Sequence, residues 1–321
     1  MNPFDVIIIG AGPIGLTCGI EARKRNKNHL VIEKGSLVNS LFHYPTNMTF
    51  FSTSDRLEIG EIPFVSHGDK PTRRESLEYY RRVVDAWEIN VNTYEEVIDI
   101  NRDNNIFKIN TDKANYVANN IIITTGFYDN PNLLNINGED KTKVKHYFNE
   151  AHPYAKLKLA IIGAGNSAVD VALETYRRGS EVTMIIRESQ LKEGIKYWVR
   201  PDIENRISEG NVKAYFDSEV SDIRDTEIDI ETPGGRITVK NDFVFAMTGY
   251  HPNYNLLKNA GIKISNDEDR IPEFNNKTHE TNVQGLYLAG VVCGGMSTGR
   301  LFIENTRDHA QKIFDHIEQK T

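Results

Sequence analysis

The sequence predicts an α/β chain of two similar three-layer units, the second inserted in the first, each carrying a small β-meander. Three observations predict it. The run Val6-Ile7-Ile8-Ile9 leads into Gly10-Ala11-Gly12-Pro13-Ile14-Gly15, then a helix-like segment and a second strand ending at Glu33. The same arrangement recurs at Leu157 to Ile162, followed by Gly163-Ala164-Gly165-Asn166-Ser167-Ala168, a helix-like run to Arg178 and a strand from Glu181 to Arg187. Each copy closes on a threonine-glycine strand end, Thr124-Thr125-Gly126 and Thr248-Gly249.

Each element has a physical reason. A continuous β-branched run suits a parallel strand covered on both faces. In a GxGxxG turn the first glycine allows the tight bend and the second lets backbone amides approach a pyrophosphate. The third lets helix and strand pack closely, and the helix N-terminus offers free N–H groups to phosphate. Glu33 lies where an acidic side chain accepts both hydroxyls of an adenosine ribose. Asn26 and Gly179 fall at equal distances from the two fingerprints, and both residue types tolerate the left-handed conformation that ends a helix. Later, Glu96 to Ile100 echoes Glu219 to Ile223, and Val97 precedes Gly126 by the same interval as Val220 precedes Gly249. Turn signals at Asp103-Asn104-Asn105 and Pro233-Gly234-Gly235 separate short alternating strands.

The first copy is about thirty residues longer, an insertion placed between Ser36 and Trp87. Within it, Thr72 and Glu75 form a capping-box signature opening a helix, with Leu77, Tyr80, Val84 and Trp87 as its expected packing stripe. After Gly249, Gly285 to Gly290 reads as a strand that returns to complete the first unit. A glycine-rich loop and a last helix from about Leu301 to Gln319 follow, with Ile303, Thr306, Ala310, Ile313, Phe314 and Ile317 on its buried face. The expected boundaries are 1–128 with 250–321 for the first domain and 129–249 for the second.

Composition narrows the function. The net charge of −7 argues against nucleic acid or an anionic membrane as the main partner. The two cysteines, Cys18 and Cys293, supply neither a disulfide framework nor a CxxC pair, so a reducing cytoplasm is expected. Val6 to Ile20, the longest apolar run, is interrupted by glycines and a proline, so no membrane span is expected, and no signal peptide is read at the N-terminus. No metal is expected.

The two fingerprints, the two threonine-glycine returns and the late Tyr287-Leu288-Ala289-Gly290 segment resemble the thioredoxin reductase-like two-dinucleotide flavoproteins. More narrowly, MTFFSTSDRLEIGEIPF, YYRRVV, GAGNSAVDVALE, IKYWVRPDIENRI and the late IEN-x-R-x-H are similar to the YpdA-type bacillithiol-disulfide reductases. The resemblance implies FAD in the first domain and a nicotinamide dinucleotide in the second. FAD contacts are then expected from Gly10, Gly12, Pro13, Ile14, Gly15, Glu33, Lys34, Phe51, Ser52, Thr125, Gly126, Gly290, Val291 and Thr298. Met48 to Ser54 would neighbour the flavin ring, and Ser297-Thr298-Gly299 would open the last helix toward it. Asn305, Arg307 and His309 read from spacing as that helix's polar face.

Gly163, Gly165, Asn166, Ser167, Ala168 and Gly249 are expected at the second dinucleotide. Arg187 stands where a carboxylate would repel a 2′-phosphate, which favours NADPH over NADH. A solvent-facing strand-end arginine is the other reading of the same residue. The chain departs from the resemblance in three places. The thioredoxin reductase CxxC is missing from Asn166-Ser167-Ala168-Val169-Asp170, and Ile14 stands where YpdA-type chains place a cysteine. Val291 replaces an aspartate of the superfamily. Cys18 reads as a buried structural residue; Cys293 is the better candidate of the two for a redox thiol, with a passive loop residue as its favoured reading. The expected function is NADPH-dependent FAD oxidoreduction with a low-molecular-weight disulfide or another small redox acceptor. The alternatives are a ferredoxin/flavodoxin-NADP reductase and a flavin-bearing sensor without turnover; a homodimer is expected by resemblance only.

Overall fold

The computed structural model describes residues 2–320. Pro131–Gly249 forms one compact unit, and the chain on either side of it forms the other.

The first unit opens with β1 (Phe4–Ile9), α1 (Pro13–Lys24) and β2 (His29–Ile32). β1 pairs in parallel with β2, Val6 opposite His29 and Ile9 opposite Ile32. Side chains alternate faces along a strand, so Val6 and Ile8 pack with Leu16, Cys18 and Ile20 of α1. Ile7 and Ile9 meet the opposite layer, with Leu257 and Val292. α1 ends at the expected place. Asn26 adopts φ 52°, and the Lys27 N–H donates to the Ala22 carbonyl at 2.9 Å.

The insertion holds α2 (Asn39–Phe42) and α3 (Arg73–Trp87). α3 carries the expected capping box. The Glu75 N–H donates to Thr72 Oγ1 at 3.3 Å, and the Thr72 N–H donates to Glu75 Oε2 at 2.8 Å. The buried face shares only Tyr80 with the expected stripe: it is Ser76, Tyr79, Tyr80 and Val83. Leu77, Val84 and Trp87 flank it, half-buried. The tyrosine hydroxyls explain the rotation. Tyr79 Oη accepts from the Ile59 N–H at 2.8 Å and Tyr80 Oη donates to the Leu57 carbonyl at 3.1 Å, so both rings can be buried without orphaned polar atoms.

The His67 N–H, then the Thr72 N–H and hydroxyl, hold the Glu75 carboxyl below its usual value. A depressed carboxyl stabilises the fold above its unfolded pKa and loses that contribution as pH falls through the folded one. Thr72→Ala is therefore expected to cost about 1 kcal/mol at neutral pH. The deficit, read by denaturant unfolding, should shrink on acidification toward the folded pKa; an equal loss at both pH values would contradict this account.

β3 (Val91–Asn92) pairs with β2, and β4 (Val97–Asp103), β5 (Ile106–Thr111) and β6 (Asn115–Ile123) form the meander. The sheet order is β3-β2-β1-β6-β5-β4. β6 belongs to both layouts. Its start pairs antiparallel with β5, while the stretch from Ala118 to Ile123 runs parallel to β1.

The inserted unit contains β7 (Val144–Lys145), β8 (Lys158–Ile162), α4 (Asn166–Tyr176), β9 (Glu181–Ile185), α5 (Arg200–Ser208) and β10 (Val212–Tyr215). The meander β11 (Glu219–Ile223), β12 (Glu227–Thr232) and β13 (Gly235–Lys240) precedes the closing strand β14 (Phe243–Ala246). Its parallel sheet runs β10-β9-β8-β14-β7, and the meander is a separate three-stranded sheet. Here no strand is long enough to serve both, which distinguishes this copy from the first. Gly179 closes α4 at φ 82°, as Asn26 closes α1.

After α6 (Tyr254–Asn259), β15 (Leu286–Leu288) returns to the first unit and pairs in parallel with β6, Leu286 opposite Ile121. The expected single last helix is divided into α7 (Ile303–Thr306) and α8 (His309–Lys320). At the break the Arg307 guanidinium donates to the Glu58 carbonyl at 2.8 Å. Thr306, Ala310, Ile313, Phe314 and Ile317 are buried as expected. His309 does not lie on a polar face; it is buried.

Candidate cofactor sites

In the first unit the three fingerprint glycines do three different things. Gly10 has φ +105°, and a Cβ there would lie 2.8 Å from the Thr124 carbonyl oxygen. A Cβ on Gly15 would lie 1.9 Å from the Gly10 carbonyl oxygen, so the helix can sit this close to the strand only without a side chain. Around Gly12 nothing lies within 4 Å of that position. The open side of the turn is thus where a pyrophosphate can approach the start of α1. Thr124, absent from the expected contacts, pins the turn: its Oγ1 donates within reach of the Ile9 carbonyl at 2.9 Å and the Gly10 carbonyl at 2.8 Å.

Glu33 is buried at the end of β2. Its Oε2 accepts the Ala11 N–H at 2.8 Å and its Oε1 accepts the Gly35 N–H at 3.0 Å. Desolvation raises its pKa, against the lowering effect of the Gly35 and Ala11 amides. Each carboxylate oxygen retains a further lone-pair site for a ribose hydroxyl. Thr125 Oγ1 is buried without a hydrogen-bond partner beside this turn. An open glycine, an acid at the strand end and an orphaned hydroxyl together fit a bound dinucleotide.

The remaining expected flavin contacts are dispersed over this unit. Pro13 opens α1 in its first turn. Ile14 is buried, and its side chain would contact a Cβ on Gly290 at 3.3 Å. Val291 comes within 3.7 Å of the corresponding position on Gly126, which has φ +66°. Lys34 pairs with Asp129 at 3.0 Å. Phe51 is exposed with Lys70 Nζ over its ring at 5.1 Å, and Ser52 Oγ bonds Glu304. Thr298 lies in a turn, where its N–H donates to the Met296 carbonyl at 2.9 Å. Ser297 to Gly299 therefore does not open a helix, in correction of the sequence expectation: α7 starts at Ile303, and the Phe302 N–H before it donates to Asn305 Oδ1 at 2.7 Å.

In the inserted unit Gly163 has φ +134°, with the Met247 carbonyl oxygen 2.5 Å from where a Cβ would lie. Gly165 is open except for Lys192 Cδ at 3.9 Å. Ala168 takes the third fingerprint position and is fully buried. Asn166 faces the chain: its Oδ1 accepts from the Lys196 N–H at 2.9 Å and its Nδ2 donates to the Gly194 carbonyl at 2.8 Å. Ser167 is exposed at the first turn of α4. Gly249, φ +88°, ends the unit, and its carbonyl accepts from the Asn132 N–H at 2.9 Å. Arg187 is 74% exposed, so it is free to reorient. It lines an open recess of about 390 Å³ with Asp217, Glu219, Glu231, Thr232 and Pro233. Glu188 and Glu219 stand at 3.7 and 4.0 Å from its guanidinium.

Both cysteines are free thiols and both are buried. Burial raises the pKa of each thiol far above its usual value, the reverse of what activates a nucleophile. Cys18 is the core residue expected from sequence. Cys293 sits in the turn after β15 beside His279 and His309, whose pKa values burial lowers to about 4 and about 3.

Two Rossmann-like units, each with a strand–glycine turn–helix built for a dinucleotide, define a class of two-nucleotide oxidoreductases. The pyridine nucleotide-disulphide oxidoreductase family matches residues 7–290, and the chain belongs to it. It is a flavin-dependent enzyme that also uses a pyridine nucleotide. The chain is 43% identical to the bacilliredoxin reductase Bdr of Bacillus subtilis (strain 168), across 98% of this chain and 97% of that protein. Its structure is similar to those of the bacillithiol disulfide reductases Bdr (YpdA) of Bacillus cereus, TM-score 0.98, and Staphylococcus aureus, TM-score 0.97. Each is 40% identical to it, over 100% of both chains. No helix among the described residues is long and apolar enough to cross a membrane.

Proposed function

We propose that this chain is an NADPH-dependent FAD enzyme that reduces a low-molecular-weight disulfide of the bacillithiol type. The observation that carries the reading is the full-length similarity to proteins named for that reaction, joined to two glycine turns that are open where a pyrophosphate would lie. FAD, with its adenosine, accounts for Glu33 at the end of β2; a mononucleotide would leave that acid without a ribose. Arg187 in the inserted unit supports NADPH.

A bound flavin would supply the two-electron exchange between nicotinamide and disulfide. The chain's own task is binding and orientation. Gly12 and the first turn of α1 receive the pyrophosphate, while Glu33 holds the ribose. Thr124 keeps the turn closed, and Thr125 offers its unpartnered hydroxyl. Gly126, Gly290 and Val291 are proposed to form the wall beside the ring system, with Ile14 packed behind them.

The chain has two cysteines, and neither is exposed. The proposed reaction therefore uses no protein thiol, unlike that of family members that carry a CxxC. The test is anaerobic: the purified yellow enzyme is bleached with NADPH, then offered bacillithiol disulfide, a bacillithiolated bacilliredoxin, or a ferredoxin. Rapid return of colour with the small disulfide is expected. Return only with a protein acceptor, or with none, overturns the substrate. In the same experiment a thiol reagent should label no cysteine of the native enzyme before or after reduction; one new reactive thiol on reduction would restore a cysteine to the mechanism.

A further inference from the structure

We propose that His279, Cys293 and His309 form a buried binding site for a soft d10 cation, Zn²⁺ or Cu⁺. The three residues come from separate segments: the loop before β15, the turn after β15, and the first residue of α8. Their ligand atoms all lie within 4.8 Å of one another, and the residues are 3%, 5% and 7% exposed.

His279 is the telling member. Neither of its ring nitrogens has a hydrogen-bond partner, although buried polar groups almost always find one. Its ring is held between two other rings, with the Leu288 backbone near it. Phe274 stacks on it at 5.6 Å between centroids, with 15° between planes, and His309 approaches at 3.9 Å. An oriented, unpartnered imidazole facing a second imidazole and a thiol is an incomplete coordination shell. The nearby Asp308 is already paired with Lys312 at 2.7 Å, so it adds no free carboxylate.

The donor set selects the ion. Two imidazoles and one sulfur, with no carboxylate in the group, suit Zn²⁺ or Cu⁺ and not Mg²⁺ or Ca²⁺. With metal–nitrogen distances near 2.0 Å and metal–sulfur distances near 2.3 Å, the donors close in by about 1 Å from their present spread. On binding, the Cys293 S–H bond breaks, the S–metal bond forms and the proton leaves to solvent, with no change of oxidation state. His309 Nδ1 now accepts the Gly290 N–H at 3.2 Å. Ligation through Nε2 would keep this bond, and ligation through Nδ1 would replace it. The ion would tie α8 to the turn at Gly290–Gly294.

The test uses the flavin-loaded enzyme, stripped of metal by a chelator and dialysed anaerobically against buffered Zn²⁺ or buffered Cu⁺, with bound metal counted by mass spectrometry. One equivalent of at least one ion is expected. Losing a ligand costs no less than the roughly tenfold typical of losing an outer-shell partner, so Cys293→Ser should weaken binding at least about tenfold. His279→Phe keeps the stack on Phe274 and should retain the flavin while binding no ion. A second measurement needs only the wild type: X-ray absorption of the bound ion should show sulfur and nitrogen neighbours. No stoichiometric uptake of either ion, equal uptake by His279→Phe, or a shell of oxygen and nitrogen alone would overturn the site.

Discussion

Gly12→Leu is expected to yield a folded, colourless protein. Gly12 has φ −67° and ψ 174°, a conformation open to any residue, and nothing lies within 4 Å of the position a Cβ would take. The fold therefore loses only the modest preference of a helix N-cap for glycine over an aliphatic residue, about 1 kcal/mol. The added side chain fills the space proposed for a pyrophosphate. A forced fit of that kind costs about 3 kcal/mol, or roughly 100-fold in flavin affinity. Gly15→Ala is the contrasting variant. Its methyl group would meet the Gly10 carbonyl oxygen at 1.9 Å and Thr124 Oγ1 at 2.8 Å, so the protein loses stability itself as well as flavin. Circular dichroism with the flavin-to-protein absorbance ratio separates the two cases. A yellow Gly12→Leu protein at the wild-type ratio would show that the pyrophosphate does not pass there.

Arg187→Glu should lower kcat/KM for NADPH by roughly 100-fold while changing that for NADH by no more than about threefold. A charge-assisted bond from guanidinium to phosphate contributes about 1.5–3 kcal/mol. Exposure places the wild-type contribution toward the lower end, because solvent and salt screen it. The reversal adds repulsion, since the recess already holds Asp217, Glu219 and Glu231. With Arg187 gone, the charged groups left in the recess are all acidic. Steady-state kinetics with both nucleotides at two ionic strengths read the effect, and the discrimination should narrow as salt rises. An equal loss for the two nucleotides would place Arg187 outside the 2′-phosphate site.

These expectations rest on features of different visibility. The paired fingerprints, the helix ends at Asn26 and Gly179 and the capping box at Thr72 and Glu75 were legible because each is a contract between residues a few positions apart. The return of Leu286–Leu288 to the first unit was legible for another reason: its segment had no counterpart in the duplicated pattern. The buried face of α3 was legible only at Tyr80. Tyr79 and Tyr80 go inside because carbonyl and amide groups of distant loop residues satisfy their hydroxyls, and helical spacing carries no record of those partners. The break between α7 and α8 is also invisible along the chain, since Arg307 is held there by carbonyls at Arg56 and Glu58.

The sequence by itself determined the architecture, the doubling, the two glycine turns and the lack of a CxxC pair, all of which depend on residue type and local spacing. Only the tertiary structure decided what the side chains do at those places. It left Gly12 open and closed Gly15 against Gly10, engaged Asn166 with its own chain, and set Arg187 among acids. It buried both thiols, and it brought His279, Cys293 and His309 into one group. Burial and proximity are properties of packed surfaces from separate segments, and no local pattern encodes them.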